Sequence, residues 1–270
     1  MIKLSSIAST TIPIEADCLT PDRLAGKSVA EIARLPVQYG NARLPLAEFF
    51  RIEGDAADQR LVLEGDCSRV KWVGAGMRSG KLTIDGPIGM HAGAEMRGGS
   101  IEVQGCAGDW LGAEMRGGLI RVHKDAGHLV GGCYRGGRAG MRGGAILVEG
   151  SAGNEIGNAM RRGFIAVGGN AGDFTGVSMI AGSVLVFGKP GMRAGAGMKR
   201  GTIALFGDTP EVLPSFRFSC LYEPLFLDIY IRFLRAAGFS VREELIHGMY
   251  RRFAGDLVAL GKGEILVFAG

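Results

Sequence analysis

Several hallmarks of common catalytic classes are scarce in this 270-residue sequence. The five cysteines, Cys18, Cys67, Cys106, Cys133 and Cys220, are odd in number, scattered and never arranged as C-x-x-C, which argues against a disulfide framework, a zinc ribbon or a cysteine-ligated cluster. The four histidines, His91, His123, His128 and His247, form no H-x-x-x-H or H-E-x-x-H pair, so no metal site is assigned. No apolar run reaches the roughly 18 residues a membrane helix requires, and Met1 to Ala16 contain no continuous apolar segment. A cytoplasmic protein without membrane partners is expected. Lys+Arg number 31 and Asp+Glu 27, a formal charge of +4 that is too mild to indicate nucleic acid.

Glycine, by contrast, is abundant. The chain has 46 glycines, about 17% against a usual 7% or so, and 37 of them lie between Gly65 and Gly207. Within that span Met77, Met96, Met115, Met141, Met160, Met179 and Met198 recur at steps of 19, 19, 26, 19, 19 and 19. Each is followed three residues later by glycine, then by an apolar-x-apolar pair such as Leu82/Ile84 or Ile101/Val103. The long step places an insertion at 132–138. Period-two alternation with β-branched residues between glycines is a strand signal. A strand so short must stack on its equivalent in the next repeat. The fold class is therefore mainly β: a single-stranded parallel β-helix of seven or more coils with 19-residue repeats, spanning 65–207.

The flanks, 1–64 and 208–270, are poor in glycine and carry helix signals, so they are expected to cap the rod. Thr20-Pro21-Asp22 starts one short helix. Ser28-Val29-Ala30-Glu31 is a capping box for another. Pro224 opens an apolar helix from Leu225 to Ala237, closed by Gly238, and a further helix over Val241 to Met249 precedes a final strand, Glu264 to Phe268.

Two columns emerge when the repeats are aligned. The residue after each repeat methionine is Arg78, Arg97, Arg116, Arg142, Arg161, Ile180 and Lys199, a cation in six of seven layers. Either these side chains bond corner carbonyls and cover the turn, or they form a stripe for an anionic ligand or acidic partner, which Arg135 and Arg138 of the insertion extend. Glu95 and Glu114 stand near enough in sequence to neutralise some of them. The outward strand residue turns from polar (Thr83, Glu102, Arg121) to apolar (Leu147, Leu185), with Phe187 and Phe206 following. That face needs a cover, either the 225–237 helix or another subunit.

No catalytic constellation stands out. A polysaccharide-cleaving β-helix needs clustered outer-face carboxylates, and the outward strand column offers only Glu102. The hexapeptide sub-period of acyltransferase β-helices is absent. Gly-Ala-Gly-Met-Arg-Ser-Gly at Gly74 is a repeat corner rather than a phosphate loop, because every coil has a version and no helix follows.

The repeated G-x-x-M-R-G-G-x-I-x-V-x-G units, as at Gly93 to Gly105, and the Ala-Gly-Asp-x-x-Gly spacers at 107–112 and 171–176 resemble the C subunit of formylmethanofuran dehydrogenase. The glutamate synthase large subunit has a similar Gly-rich β-helix as its C-terminal domain, with an excursion like that at 134–140. The flanks distinguish the two. Residues 40–50 and the tail 252–265 resemble the dehydrogenase subunit, so the likeness covers essentially the whole chain. A bacterial branch of that family is a formyltransferase/hydrolase complex, and 23 Arg against 8 Lys suits a GC-rich bacterial genome. The resemblance implies a non-catalytic scaffold that holds an amidohydrolase-like hydrolase subunit, a formyltransferase subunit and a further homologous subunit. Together they transfer formyl from formyl-tetrahydromethanopterin to a methanofuran-like carrier and release formate. It also implies that this chain carries no catalytic residues. The alternatives are the equivalent subunit of a molybdenum or tungsten formylmethanofuran dehydrogenase and a glutamate-synthase-like domain of an amidotransferase system.

Overall fold

The computed structural model describes residues 1–7, 10–207, 211–245 and 247–270. The chain opens with strands β1 (Ile2–Ser6) and β2 (Ile14–Glu15), then short helices α1 (Pro21–Leu24) and α2 (Val29–Ala33). Next come β3 (Pro36–Tyr39), β4 (Ala42–Pro45), β5 (Phe50–Gly54), β6 (Arg60–Glu64) and β7 (Val70–Lys71). The repeat region contributes β8 (Lys81–Asp85), β9 (Ser100–Val103), β10 (Leu119–Val122), β11 (Arg142–Val148), β12 (Arg162–Val167), β13 (Ser183–Val186) and β14 (Arg200–Leu205). After it follow β15 (Arg217–Tyr222), helix α3 (Phe226–Ala236), β16 (Tyr250–Gly255) and β17 (Lys262–Phe268).

Thirteen of these strands form one sheet in the order β15-β16-β17-β14-β13-β12-β11-β10-β9-β8-β6-β1-β5. From β1 to β17 every neighbour is parallel, the arrangement of a β-helix. Leu82 pairs with Ile101, Ile101 with Ile120 and Ile120 with Ile146, so the offset is 19 residues and 26 across the insertion. The seven inserted residues thus leave the register of inward side chains unbroken. All of the inward pairs are buried in one continuous core with the seven repeat methionines.

Two further features set the coil height. A second face is a ladder of single bridges, Cys67 to Ile88, Ala107, Ala126, Ala152 and Ala171, where mostly small side chains let adjacent turns approach. Polar side chains also reach one coil forward. Asp109 Oδ1 accepts from His128 N at 2.7 Å, Asp125 Oδ1 from Ser151 N at 2.7 Å, and Asp173 Oδ1 from Met192 N at 2.8 Å. Asp109 and Asp173, the aspartates of the Ala-Gly-Asp spacers, are therefore rungs between coils, satisfying backbone donors at a corner where no strand does so.

The parallel sheet runs past the glycine-rich region at both ends. Leu61 and Leu63 of β6 sit under Leu82 and Ile84, while Ile265 and Val267 of β17 cover Ile203 and Leu205. These flanking strands lack the Met-Gly signature, because their connections leave the coil path and need no repeated corner. At the N-terminal end Ser28 and Glu31 form the reciprocal capping box of α2, and four short strands form a separate small sheet in the order β4-β3-β2-β7.

The outward apolar column is an internal contact, not an exposed interface. Leu147, Leu185 and Phe206 are buried and Phe187 is half-buried, beneath Leu227, Ile231 and Leu234 of α3. Phe164 stacks on Tyr230 at 4.8 Å and Phe187 on Phe206 at 4.5 Å. Burying Leu185 and Ile231 each contributes roughly 2 kcal/mol. The segment expected to be a helix over 241–249 is only a 3-10 turn at Glu243–Leu245; Ile246 lies outside the described residues. Residues 247–249 are not helical, and Tyr250 already belongs to β16, which pairs with β17.

Candidate contact surfaces

The first surface is the corner that follows each repeat methionine. Arg78, Arg97, Arg161 and Lys199 are exposed and, among the described residues, have no ion pair and donate to no corner carbonyl. Arg116 approaches Glu95 at 3.9 Å. Arg142 is half-buried at the start of β11, its Nε buried without a hydrogen-bond partner among the described residues. Arg135 and Arg138 are exposed on the inserted loop. Glu114 does not serve the column. Its Oε1 accepts from the Tyr134 backbone N–H at 3.3 Å and so holds the insertion. Parallel layers are about 4.8 Å apart, so unpaired arginines on successive coils repel and favour an anion between them. A cavity of about 520 Å³ adjoins the first two, lined also by Asp17, Asp22, Arg23 and Trp72.

The second surface is not among those the sequence patterns point to. Trp72, His91 and Trp110 recur 19 residues apart, all in a left-handed backbone conformation, and their rings form a ladder. Trp72 stacks on His91 at 4.2 Å with the two rings nearly parallel, while Tyr134 of the insertion stacks on Trp110 at 4.8 Å. The Tyr134 hydroxyl lies 2.9 Å from His91 Nδ1. The inserted loop thus folds back across two earlier coils and closes the ladder. The 19-residue spacing of the three rings is the signal that marks them, but it spans only three coils and mixes residue types, so the Met and Gly period overshadows it.

Burial, then the nearby Lys71 charge, lowers the His91 pKa from its ordinary 6.5. Folding therefore favours the neutral ring, and this contribution is complete above about pH 6.5 and lost as the pH falls through the lowered folded-state value. Both tryptophans of the chain stand in this ladder, so intrinsic fluorescence reports on it directly. Acidification from pH 7.5 to 5 is expected to alter the emission, and His91→Phe to abolish the response while keeping a stacked ring. An unchanged response in that variant would place the titrating group elsewhere.

The third feature locks α3 in place. Arg121 on β10 donates from Nη1 to Ala237 O at 2.6 Å, from Nη2 to Gly238 O at 3.1 Å, and from Nε to Glu149 at 2.7 Å. A guanidinium on the terminal carbonyls of a helix is favoured by the helix dipole. His123 lies between Glu149 and Glu102, and Glu102 in turn bonds Lys81. The Lys81 hydrogen bond, then that of His123, holds Glu102 below the usual carboxylate range. This half-buried network resembles a catalytic cluster in composition, but each member is engaged by a neighbour. Among the described residues no group of three or more His, Cys, Asp or Glu could hold a metal ion, and no helix is long and apolar enough to cross a membrane.

No family model matches the sequence. Among characterised proteins, the C subunit of the molybdenum-containing formylmethanofuran dehydrogenase 1 of Methanothermobacter thermautotrophicus is 49% identical over 80 residues, 29% of this chain and 20% of that protein. The corresponding Methanosarcina barkeri protein is 44% identical over 84 residues, 30% of this chain and 28% of its own length. The X-ray structure of the formyltransferase/hydrolase complex (FhcABCD) from Methylorubrum extorquens, in complex with methylofuran, contains a chain 32% identical to this one. The two superpose with a TM-score of 0.91 over 99% of this chain and 100% of that one. The chain belongs to the formylmethanofuran dehydrogenase C-subunit family. The likeness to the Methylorubrum chain is end to end, whereas the chain spans about a fifth to a third of the curated relatives it matches. That likeness takes in both flanks, where β1, β6 and β17 extend the parallel sheet beyond the repeats.

Proposed function

We propose that this chain is the scaffold, or C-type, subunit of a formyltransferase/hydrolase complex of one-carbon metabolism. In this reading an amidohydrolase-like hydrolase subunit, a formyltransferase subunit and a further homologous subunit assemble on the rod. They pass formyl from formyl-tetrahydromethanopterin to a methanofuran-like carrier and release formate. The observation that carries the reading is the end-to-end likeness to a chain of the Methylorubrum complex. The outer stripe of α3 supplies a partner surface, with Leu225 and Ile229 more than 70% exposed and Phe233 beside them; such apolar patches mark contacts. The corner column, Arg78, Arg97, Arg116, Arg142, Arg161 and Lys199 with Arg135 and Arg138, supplies a second, for an acidic subunit or an anionic carrier tail.

A molybdenum or tungsten formylmethanofuran dehydrogenase is the second reading, favoured by the 49% identity within the 80-residue stretch. Affinity purification from the native host, mass spectrometry of the associated chains and a formate-release assay on formyl-tetrahydromethanopterin separate them. Hydrolase and formyltransferase subunits with formate release support the first reading. Associated molybdenum or tungsten with iron–sulfur proteins moves the chain to the second, and glutamine-handling partners overturn both. The double variant Arg78→Glu/Arg97→Glu is expected to reduce the activity of the assembled complex at least tenfold, or to release a subunit, without changing the melting temperature of this chain. Unaltered assembly and turnover would leave these arginines as solvated corners.

A further inference from the structure

The two ends of the thirteen-stranded sheet are built differently. At one end β5 exposes Arg51 and Glu53, and charges on an edge strand block further strand pairing. At the other, β15 pairs with β16 and, among the described residues, with no other strand. Five of its six residues are exposed, only the terminal Arg217 is charged, and Phe218 and Leu221 are 59% and 52% exposed. An open edge of this length with no charge in its middle is a template for another strand.

The register of β15 says which strand fits. Phe218 and Leu221 are three residues apart and would lie on opposite faces of a regular strand. A register shift between Phe218 and Cys220 instead sets them opposite Phe253 and Arg251, which are two apart on β16 and share a face. Re-aiming a side chain in this way is a characteristic effect of a bulge. Two exposed apolar side chains thus flank the middle of the edge on one face.

We propose that β15 is a homotypic docking edge, pairing antiparallel with β15 of a second copy about a two-fold axis between Ser219 and Cys220. That alignment sets Phe218 opposite Leu221 of the second copy, and by symmetry the reverse, so both apolar pairs are satisfied at once. It also sets Arg217 opposite Tyr222, whose ring accepts a cation, and it opposes no like charges. The two sheets then continue across the axis, and the end of the sheet that lacks a guarding pair of charges is no longer an edge.

The test uses the full chain, alone and within whatever complex co-purifies with it. Ser219→Cys stands opposite Cys220 of the second copy, so mild oxidation is expected to give a covalent dimer that disappears when Cys220→Ser is added. Sedimentation velocity is expected to show a concentration-dependent dimer of the unmodified chain, weakened at least tenfold by Leu221→Lys. Leu221 is exposed, so the melting temperature should stay within a degree or two; if that variant melts early, the disulfide result on the folded Ser219→Cys chain decides instead. A monomer that does not cross-link overturns the proposal, as does a dimer indifferent to Leu221→Lys. A mixed disulfide between Ser219→Cys or Cys220 and a different subunit would also overturn it, since the edge would then belong to a heterologous strand.

Discussion

Leu185→Glu is expected to detach α3 from the rod while leaving the coils below it stacked. Leu185 is fully buried on the outward face of β13, between Ala166 and Ala204, with α3 above it. The side chains packed around it in that cluster are apolar, and an unpaired charge in such a site costs several kcal/mol beyond the roughly 2 kcal/mol of lost leucine burial. The inward residues of the same strand, Val184 and Val186, belong to the other core and are untouched. The response of lowest free energy is therefore local: the helix lifts and the charge reaches water. Amide exchange in Phe226–Ala236 should accelerate by at least 100-fold while the strands β8 to β10 keep their protection. Leu185→Met, similar in volume, should cost less than about 1.5 kcal/mol. Unchanged exchange in α3 would mean that the helix is held by Arg121 and the Ala237–Gly238 carbonyls rather than by its apolar face.

The second large effect is expected at a corner of the rod. Gly118 has φ +93°, and a Cβ built there would lie 2.8 Å from Gly99 O, 3.1 Å from Gly98 C and 2.7 Å from the methyl of Met96. The glycine leaves room for the methionine of the preceding coil, which explains why Met and Gly recur together at a fixed spacing. Gly118→Val combines a left-handed β-branched residue with a clash against backbone of the neighbouring coil, for a total of about 4 kcal/mol. Because the site is inside the stack, the damage has coils on both sides to propagate into. Gly136→Val provides the comparison: φ is +80° but nothing lies within 4 Å of the added Cβ, so only conformational strain remains, about 1 kcal/mol. Urea unfolding of the two variants should separate them clearly. Equal losses would show that backbone conformation alone, and not coil-to-coil packing, demands the glycine.

These contrasts also mark where the sequence is legible. The strands are, because Leu82/Ile84 through Ile203/Leu205 alternate with a two-residue period and mostly β-branched shapes, and each sits at a fixed offset from a methionine. The insertion is legible for the same reason, since the offset changes once and then resumes. What covers the outward column is not. Leu147 and Leu185 announce a buried surface, but α3 and a partner subunit bury apolar side chains equally well, and only the path of 208–270 decides between them. The rod's extension through β1, β6 and β17 is hidden because those strands carry the inward pair without the corner residues. The 241–249 segment has a helical composition, whereas pairing of Tyr250 with Phe268 draws the chain into strand immediately afterwards. As for the candidate contacts, the cationic column can be read from register alone. Which of its members are free cannot, since the Glu114 carboxylate goes to Tyr134 rather than to an arginine.

The fixed register has a metrical consequence. Each coil advances the rod by about 4.8 Å whatever its outer side chains are, so the separation between the arginine-lined cavity beside α1 and the exposed stripe on α3 is counted in coils. Outer-face chemistry can drift without changing that distance, and the distance can change only in whole steps. The seven residues added at 132–138 lengthen the chain without lengthening the rod, because they leave the coil path between β10 and β11 and return to the same register. The protein is in this sense a ruler with discrete graduations, and any two subunits docked at its ends would be held at a spacing set by integer arithmetic.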